Sequence, residues 1–519
     1  MKMNINIYVS TFVFGCLLFG TIKLFIKLWW TPIRIQRFMR SQGIQGPSYN
    51  FIQGNAREMH TRRTHAIATP IDLSHRILPR VLPHTHSWLH RYGRNFIQWF
   101  GVEAQLIITD PEMIREVLHD RQKKFPKAKL HGFLNKIFGN GLVTAEGETW
   151  AKSRKIANFA FHGDTLKNMI PAMIGCAETM MEEWKHYEGK ELDVFQHLKV
   201  YTSDVISHTA FGSSYEQGKN IFQMLQNLCE LIIRNGFKIR LPGIRKIFKS
   251  KDDVEGERLE KRMKDCFMEV IKSREEKFIN GEADGYGNDF LGLLVKAKND
   301  PEESQRISVD DIVDECKTFY FAGHETTSVL LAWTMFLLAL HKQWQDQARD
   351  EVFKVFGDKN PTSEGLPKLK TMTMILYECL RLYPPAMTVG RQVMEKEVRL
   401  GSLVLPATIR VTIPTAAVHH DTAYWGEDAS EFKPERFAEG VAKAIERNSA
   451  AYLPFGLGGR SCVGMNFAMK EAKIGMSMIL QRYSFTLSPA YAHSPVQFLT
   501  ICPQHGLQLI LHSISDHTA

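Results

Sequence analysis

Apolar positions are spread unevenly along the chain. From Ile5 to Ile22 eighteen residues pass without a charge, and Lys23, Lys27, Arg34, Arg37 and Arg40 follow. A run of that length can just span a bilayer, and the cationic flank marks the end that stays in the cytoplasm. Trp29 and Trp30 would sit at the membrane interface. A cleaved signal peptide, cut near Gly15 or Gly20, is the competing reading. The charges come after the apolar run, however, and no A-x-A-like site follows. The expected division is a membrane anchor over 1–30, a basic, proline- and glycine-punctuated hinge over 31–55, and one large body over 56–519.

Within that body the period of the pattern changes repeatedly. Arg94 to Ile108 predicts a strand, a turn and a second strand. Asp110-Pro111-Glu112 opens a helix with proline in its first turn. Another helix begins over Gly147 to Lys155, with Trp150 and Arg154 four apart and so on one face. Residues 165 to 280 read as several amphipathic helices interrupted between Gly236 and Lys251, with a loop over Asn280 to Asn288. Ser308 caps a long helix expected from Val309 to Leu340. Its middle, Phe321-Ala322-Gly323-His324-Glu325-Thr326-Thr327, is weak helix former and predicts a local opening. Glu378 and Arg381 are three apart on a helix ended by Tyr383-Pro384-Pro385. Strands are expected over Val389 to Arg391, Val398 to Leu405 and Ile409 to Ile413. A helix over Met465 to Leu480 and a final strand pair, Tyr483 to Leu487 with Leu507 to Leu511, complete the pattern.

The 519 residues are 44% hydrophobic, as in an ordinary globular protein, and no repeat or long linker divides them. The net charge of +9 favours membrane and protein partners, and no nucleic-acid motif accompanies it. Cysteines stand at 16, 176, 229, 266, 316, 379, 462 and 502 without CxxC pairing. That spacing suggests neither a disulfide framework nor a zinc site, and fits a reducing compartment.

One cysteine differs from the rest. Pro454-Phe455-Gly456-Leu457-Gly458-Gly459-Arg460-Ser461-Cys462-Val463-Gly464 places Cys462 among glycines at the start of a helix. The amides of Val463, Gly464 and Met465 lack intrahelical partners there and could stabilise a thiolate. A buried, inert cysteine beside a glycine turn is the plainer alternative. Phe455-x-x-Gly458-x-Arg460-x-Cys462-x-Gly464 resembles the haem-binding signature of the cytochrome P450 family. The segments around Trp150/Arg154, Ala322–Thr326, Glu378/Arg381 and Phe432–Phe437 resemble four further motifs of that family, in its order. Gln42-Gly43-Ile44-Gln45-Gly46-Pro47 and Phe321–Thr327 look like the plant clan that includes secologanin synthase and the brassinosteroid, gibberellin, cytokinin and triterpenoid hydroxylases. His324, where glutamine is usual, and Cys502, where arginine is commoner, depart from that clan.

The resemblance implies a mainly α fold with a smaller β-rich lobe, and haem b between the two. It implies a monooxygenase that inserts one atom of O2 into an apolar small molecule. Cys462 would be the axial iron ligand. Phe455 and Gly464 would flank the haem, and Arg460, Arg391, Arg154 and Trp150 would hold its propionates. Thr326 and Glu325 would relay protons, and Glu378, Arg381 and Arg436 would form a structural triad. Pro495 to Thr500 would close the substrate pocket. The chain has no dinucleotide fingerprint. Electrons would therefore come from NADPH through a membrane-bound NADPH-cytochrome P450 reductase, steered to a basic face of Lys152, Lys155, Lys470 and Lys473. The expected location is the endoplasmic reticulum membrane, single-pass, with the catalytic domain cytosolic. A haem-thiolate isomerase or dehydratase, or a haem sensor, are the alternatives; the Glu325-Thr326 pair disfavours both. His324 is either a packed or solvated histidine or a member of the proton route.

Overall fold

The computed structural model describes residues 2–120, 122–130, 132–213, 215–239, 249–445 and 450–514. Its elements, in chain order, are α1 (Lys2–Phe25), α2 (Thr31–Ser41), β1 (Asn95–Phe100), β2 (Glu103–Ile108), α3 (Pro111–Leu118), α4 (Gly147–Ala160), α5 (Ile170–Trp184), β3 (Glu191–Asp193), α6 (Val194–Phe211), α7 (Tyr215–Asn235) and α8 (Lys251–Ile279). Then follow α9 (Val309–Leu340), α10 (Lys370–Leu382), β4 (Thr388–Gln392), β5 (Glu397–Leu400), β6 (Leu403–Pro406), β7 (Arg410–Pro414), α11 (Met465–Arg482), β8 (Tyr483–Leu487), β9 (Pro495–Gln497), β10 (Ile501–Pro503) and β11 (Gln508–Ser513), with shorter helical turns between.

A π-helical turn, Ile26–Trp30, joins α1 to α2. Ile7 to Ser41 is thus one helix, whose most apolar window is wholly exposed and is long and apolar enough to cross a membrane. The Tyr49 hydroxyl donates to the Leu28 carbonyl at 2.5 Å, and Trp29 packs edge-on against Phe51. The helix runs to Ser41, so the irregular part of the expected hinge begins at Gln42. Gln42 exchanges two hydrogen bonds with the backbone of Val404, at 3.0 and 2.7 Å, and Gln45 accepts from the Ile97 amide. A Cβ on Gly46 would meet the Ile97 carbonyl, which explains the glycine.

The β lobe is a sheet of order β1-β2-β7-β4, packed on α2 and α3 around Trp99, Leu106, Val411 and Ile413. Val398 to Leu405, expected as one strand, is instead the hairpin β5–β6. Gly401 turns it at φ +55°, a conformation most side chains resist. β11 joins β3 and β8, and β9 pairs with β10. The helical lobe holds the larger core, threaded by α9 with α6 against one side. Asp110 caps α3, and Ser308 with Asp311 forms a capping box at α9, whose bounds match the expected ones. The expected interruption over Gly236 to Lys251 falls partly on residues 240–248, outside the described residues.

Between β7 and α11 the described residues make only short helical turns. Their carbonyls need donors from elsewhere. Glu378 and Arg381 on α10 are fully buried and pair at two points, 2.7 and 2.8 Å. Arg381 gives its other N–H groups to the carbonyls of His419, Ala429 and Glu431. Glu378 accepts from the Lys433 amide, and Arg436 Nε stands 3.5 Å from it. His419 Nε2 accepts from the Leu453 amide at 2.9 Å, so its Nδ1 carries the proton donated to the Arg381 carbonyl.

Burial, with Arg381 nearby, holds His419 down at about 3 and His420 at about 4. Both values lie below the unfolded value near 6.5. Their stabilising effect is therefore complete above pH 6.5 and is lost as pH falls toward 3. Unfolding free energies measured from pH 7 to 4 should fall by up to about 1.4 kcal/mol per pH unit for each histidine. His419→Gln with His420→Gln should flatten that slope; an unchanged slope would dissociate the two residues from acid stability.

Candidate active site

A cavity of about 790 Å³ separates α9 from the loop that carries Cys462. Its floor includes Phe455, Arg460, Cys462 and Gly464, and its roof Ala322, Gly323, Thr326 and Thr327. The loop is folded by the Cys462 amide donating to the Phe455 carbonyl at 2.8 Å and by the Ser461 amide donating to Gly458. Gly458 sits at φ +73°, where a Cβ would meet the Leu118 carbonyl at 2.2 Å; no other residue fits there.

Cys462 is exposed and lines the cavity. Desolvation by the surrounding protein raises its thiol pKa, while the Gly464 amide, donating to the sulfur, and the Arg154 charge act in the opposite direction. Gly464 is one of the three amides expected to face the sulfur.

One end of the cavity is crowded with cations. Arg154, on α4, donates to the Ser461 carbonyl at 2.6 Å. Arg460 stacks over Trp150 at 4.2 Å and donates to the Ala145 carbonyl and to Glu146. Arg391 is buried on β4, off the cavity wall, and bridges backbone to backbone with Lys127. Lys127 itself lines the cavity. Burial and the neighbouring arginines push Lys127 down to about 7, and burial and Arg460 push Arg391 down to about 10. Glu146 is the carboxylate among them, and also accepts from the Lys127 amide. A cavity with a thiol at its floor and a surplus of buried and half-buried cations at one end fits haem, whose two propionates would relieve the repulsion. Lys127 and Glu146 escaped the sequence reading because their partners lie far along the chain.

On the roof, α9 is uninterrupted, in place of the expected opening. Gly323 is there for a different reason: a Cβ would meet the Ile206 side chain of α6 at 2.6 Å. The Thr326 hydroxyl donates to the Ala322 carbonyl at 2.8 Å, the ordinary back-bond of a helical threonine. Glu325 is off the cavity wall. Thr500, beyond β9, donates to Glu325 Oε1 at 2.9 Å, and His324 Nε2 stands 3.6 Å from Oε2. His324 bonds the Tyr320 carbonyl through Nδ1 and packs against Phe222; burial lowers its pKa against the pull of Glu325. His324 is thus packed, yet touches the acid. Gln497, Phe498 and Leu499, next to Thr500, line the cavity. Of the four lysines of the expected basic face, Lys155 is exposed and Lys470 half-buried, while Lys152 and Lys473 bond the Ser304 and Leu366 carbonyls.

The family model described as "Cytochrome P450" matches residues 81–510. A Panax ginseng protein named cytochrome P450 CYP749A22 is 52% identical over 500 residues, covering 96% of this chain and 95% of its own length. A Paris polyphylla protein named cytochrome P450 CYP72A616 is 43% identical, covering 94% and 95%. A Glycyrrhiza uralensis protein named 11-oxo-beta-amyrin 30-oxidase is 42% identical, covering 94% of each. With the motifs, the slot and these relatives in agreement, the chain belongs to the cytochrome P450 family of haem- and O2-using monooxygenases, within the plant clan that its relatives represent.

Proposed function

We propose that this monooxygenase is anchored in the endoplasmic reticulum membrane by α1 with its body in the cytosol. It takes electrons from NADPH through NADPH-cytochrome P450 reductase, and oxidises an apolar isoprenoid, hormone or other specialised metabolite. The observation that carries the reading is the Cys462 thiol facing Thr326 across a largely apolar cavity. The cavity walls away from the cations include Phe138, Leu142, Ile232, Phe498 and Leu499. The name of the Glycyrrhiza relative, an oxidase of a β-amyrin derivative, supports a triterpenoid-like substrate.

Bound haem would supply the activation of O2 and its transfer to a C–H bond. The chain's own residues have separate tasks. Cys462 would hold the haem iron through its thiolate and lend it electron density. Lys127, Arg154 and Arg460, with Trp150, would hold the propionates, with Arg391 adding its charge from behind the wall; Phe455 and Gly464 would shape the floor. Thr326 would pass a proton at Oγ1 on the roof, and Glu325 stands behind it as the next group of the relay. Thr500 and His324 orient that carboxylate. Glu378, Arg381 and Arg436 hold the segment leading to the cysteine loop.

Reduced protein exposed to carbon monoxide should show the family's red-shifted Soret band, and Cys462→Ala should remove it. A band that survives would sink the ligand assignment. Thr326→Ala should keep that band and NADPH oxidation while product falls by about 100-fold and hydrogen peroxide rises; unaltered coupling would defeat the relay. Thr500→Val should lower the yield of product per NADPH and shift its pH profile, with Thr500→Ser restoring both; equal behaviour of the two would remove the orienting role. Protease added to sealed microsomes should digest the body, and protection would reverse the topology. Lys155→Glu with Lys470→Glu should slow reduction at low salt, where surface charges are least screened, and leave substrate binding unchanged. An unchanged rate would rule out this docking face.

A further inference from the structure

Away from the haem slot, three ligand-type side chains converge where α5 meets α6. Cys176 comes from α5, and Asp204 and His208 come from α6, four residues apart and so on one face. Their ligating atoms all lie within 4.8 Å of one another. Asp204 Oδ1 and His208 Nε2 are 3.4 Å apart, loose for a hydrogen bond. That spacing matches the edge of a tetrahedron whose corners lie about 2.1 Å from a central ion, roughly 3.4 Å. The burial is graded: Cys176 is buried, Asp204 intermediate and His208 exposed. The exposed side gives an ion a way in and leaves a fourth corner for water.

The surroundings are anionic. Glu471, on α11, is wholly buried, and neither of its oxygens makes a well-formed hydrogen bond; only the Thr327 hydroxyl is near enough to favour its charged form. The Cys176 thiol is already in hydrogen-bond reach of Asp204, and Glu471 lies near enough to act on it. Tyr201, also on α6, has its pKa raised by burial and feels both Glu471 and Cys176. A buried acid, a half-buried acid and a thiol thus share one region with the His208 imidazole.

We propose that Cys176, Asp204 and His208 form a zinc-binding site with water at the fourth position. Thiolate, imidazole and carboxylate are the donor set zinc accepts. On binding, the Cys176 S–H bond breaks, a sulfur–zinc bond forms, and the proton leaves to solvent. The ion staples α5 to α6. That matters for the distal helix, because α6 supplies Ile206 against Gly323 and the Thr202 hydroxyl that donates to the His324 carbonyl at 2.9 Å. The metal would steady the wall behind the Gly323–Thr326 turn without touching substrate or haem.

The test uses the haem-loaded full chain, in which Cys462 is engaged by iron. Equilibrated with Zn²⁺ and dialysed, it should retain zinc. The zinc absorption edge should show one sulfur neighbour at about 2.3 Å with nitrogen or oxygen at about 2.0–2.2 Å. Cys176→Ser and His208→Ala should each weaken binding by about ten-fold or more. His208 is exposed, so its removal probes the site without cutting into the core. Zinc should also raise the thermal midpoint of the parent protein and leave that of His208→Ala unmoved. Absence of retained zinc, a coordination shell without sulfur, or undiminished binding in both variants would each overturn the site.

Discussion

The buried pair of Glu378 and Arg381 is the interaction on which the site depends. Removing two charges from water is expensive, and a hydrophobic pair in their place would often be as stable. What a hydrophobic pair could not supply is donors. Among the described residues from Thr415 to Gly464 there are only short helical turns, so their carbonyls cannot all be satisfied locally. Arg381 offers a rigid fork of N–H groups. It spends two on Glu378 and the others on three carbonyls spread over that segment. His419 extends the network to the Leu453 amide, one residue before the cysteine loop begins. The position of Cys462 is therefore set from α10 through hydrogen bonds, with apolar packing in support.

At the opposite end of the slot the electrostatics run the other way. Lys127, Arg154, Arg391 and Arg460 stand together with Glu146 as the carboxylate among them, at a cost visible in the lowered values of Lys127 and Arg391. A structure tolerates buried like charges when a ligand of opposite sign completes them. The Trp150 face softens the arrangement by stacking on Arg460. The thiol floor and the cationic end are each of the kind that haem, the family's cofactor, calls for: one suits the iron, the other the propionates.

Much of this was legible in the chain because it is local. The bounds of α9 follow from a capping box and a continuous apolar run; the β1–β2 hairpin follows from alternation; Cys462, Arg460 and Gly464 lie within five residues of one another. Trp150 and Arg154 needed only the period of a helix. Other features depend on partners distant in sequence. Lys127 acquires meaning from Arg391 and Arg460, His419 from Leu453, and Glu325 from Thr500, which is 175 residues away. No period or propensity carries such information. The β5–β6 hairpin was hidden for another reason: apolar residues crowd both sides of Gly401-Ser402, and the turn shows only as a change of phase, from Val398 and Leu400 to Leu403 and Leu405, with Gly401 at positive φ.

The weak middle of α9 shows how one local signal can have two physical causes. Gly323 and the threonines lower helix propensity, and an opened turn would account for them. The structure accounts for them without one. Gly323 is small because α6 presses Ile206 against it, and Thr326 satisfies its hydroxyl on the Ala322 carbonyl within an intact helix. A neutral hydrogen bond of this kind has a net worth of only about 1 kcal/mol. The hydroxyl can therefore exchange that carbonyl for a partner in the cavity while the backbone stays put. The proposed relay would then need only a rotating side chain on a rigid helix, with Thr500 and His324 fixing the Glu325 side chain behind it.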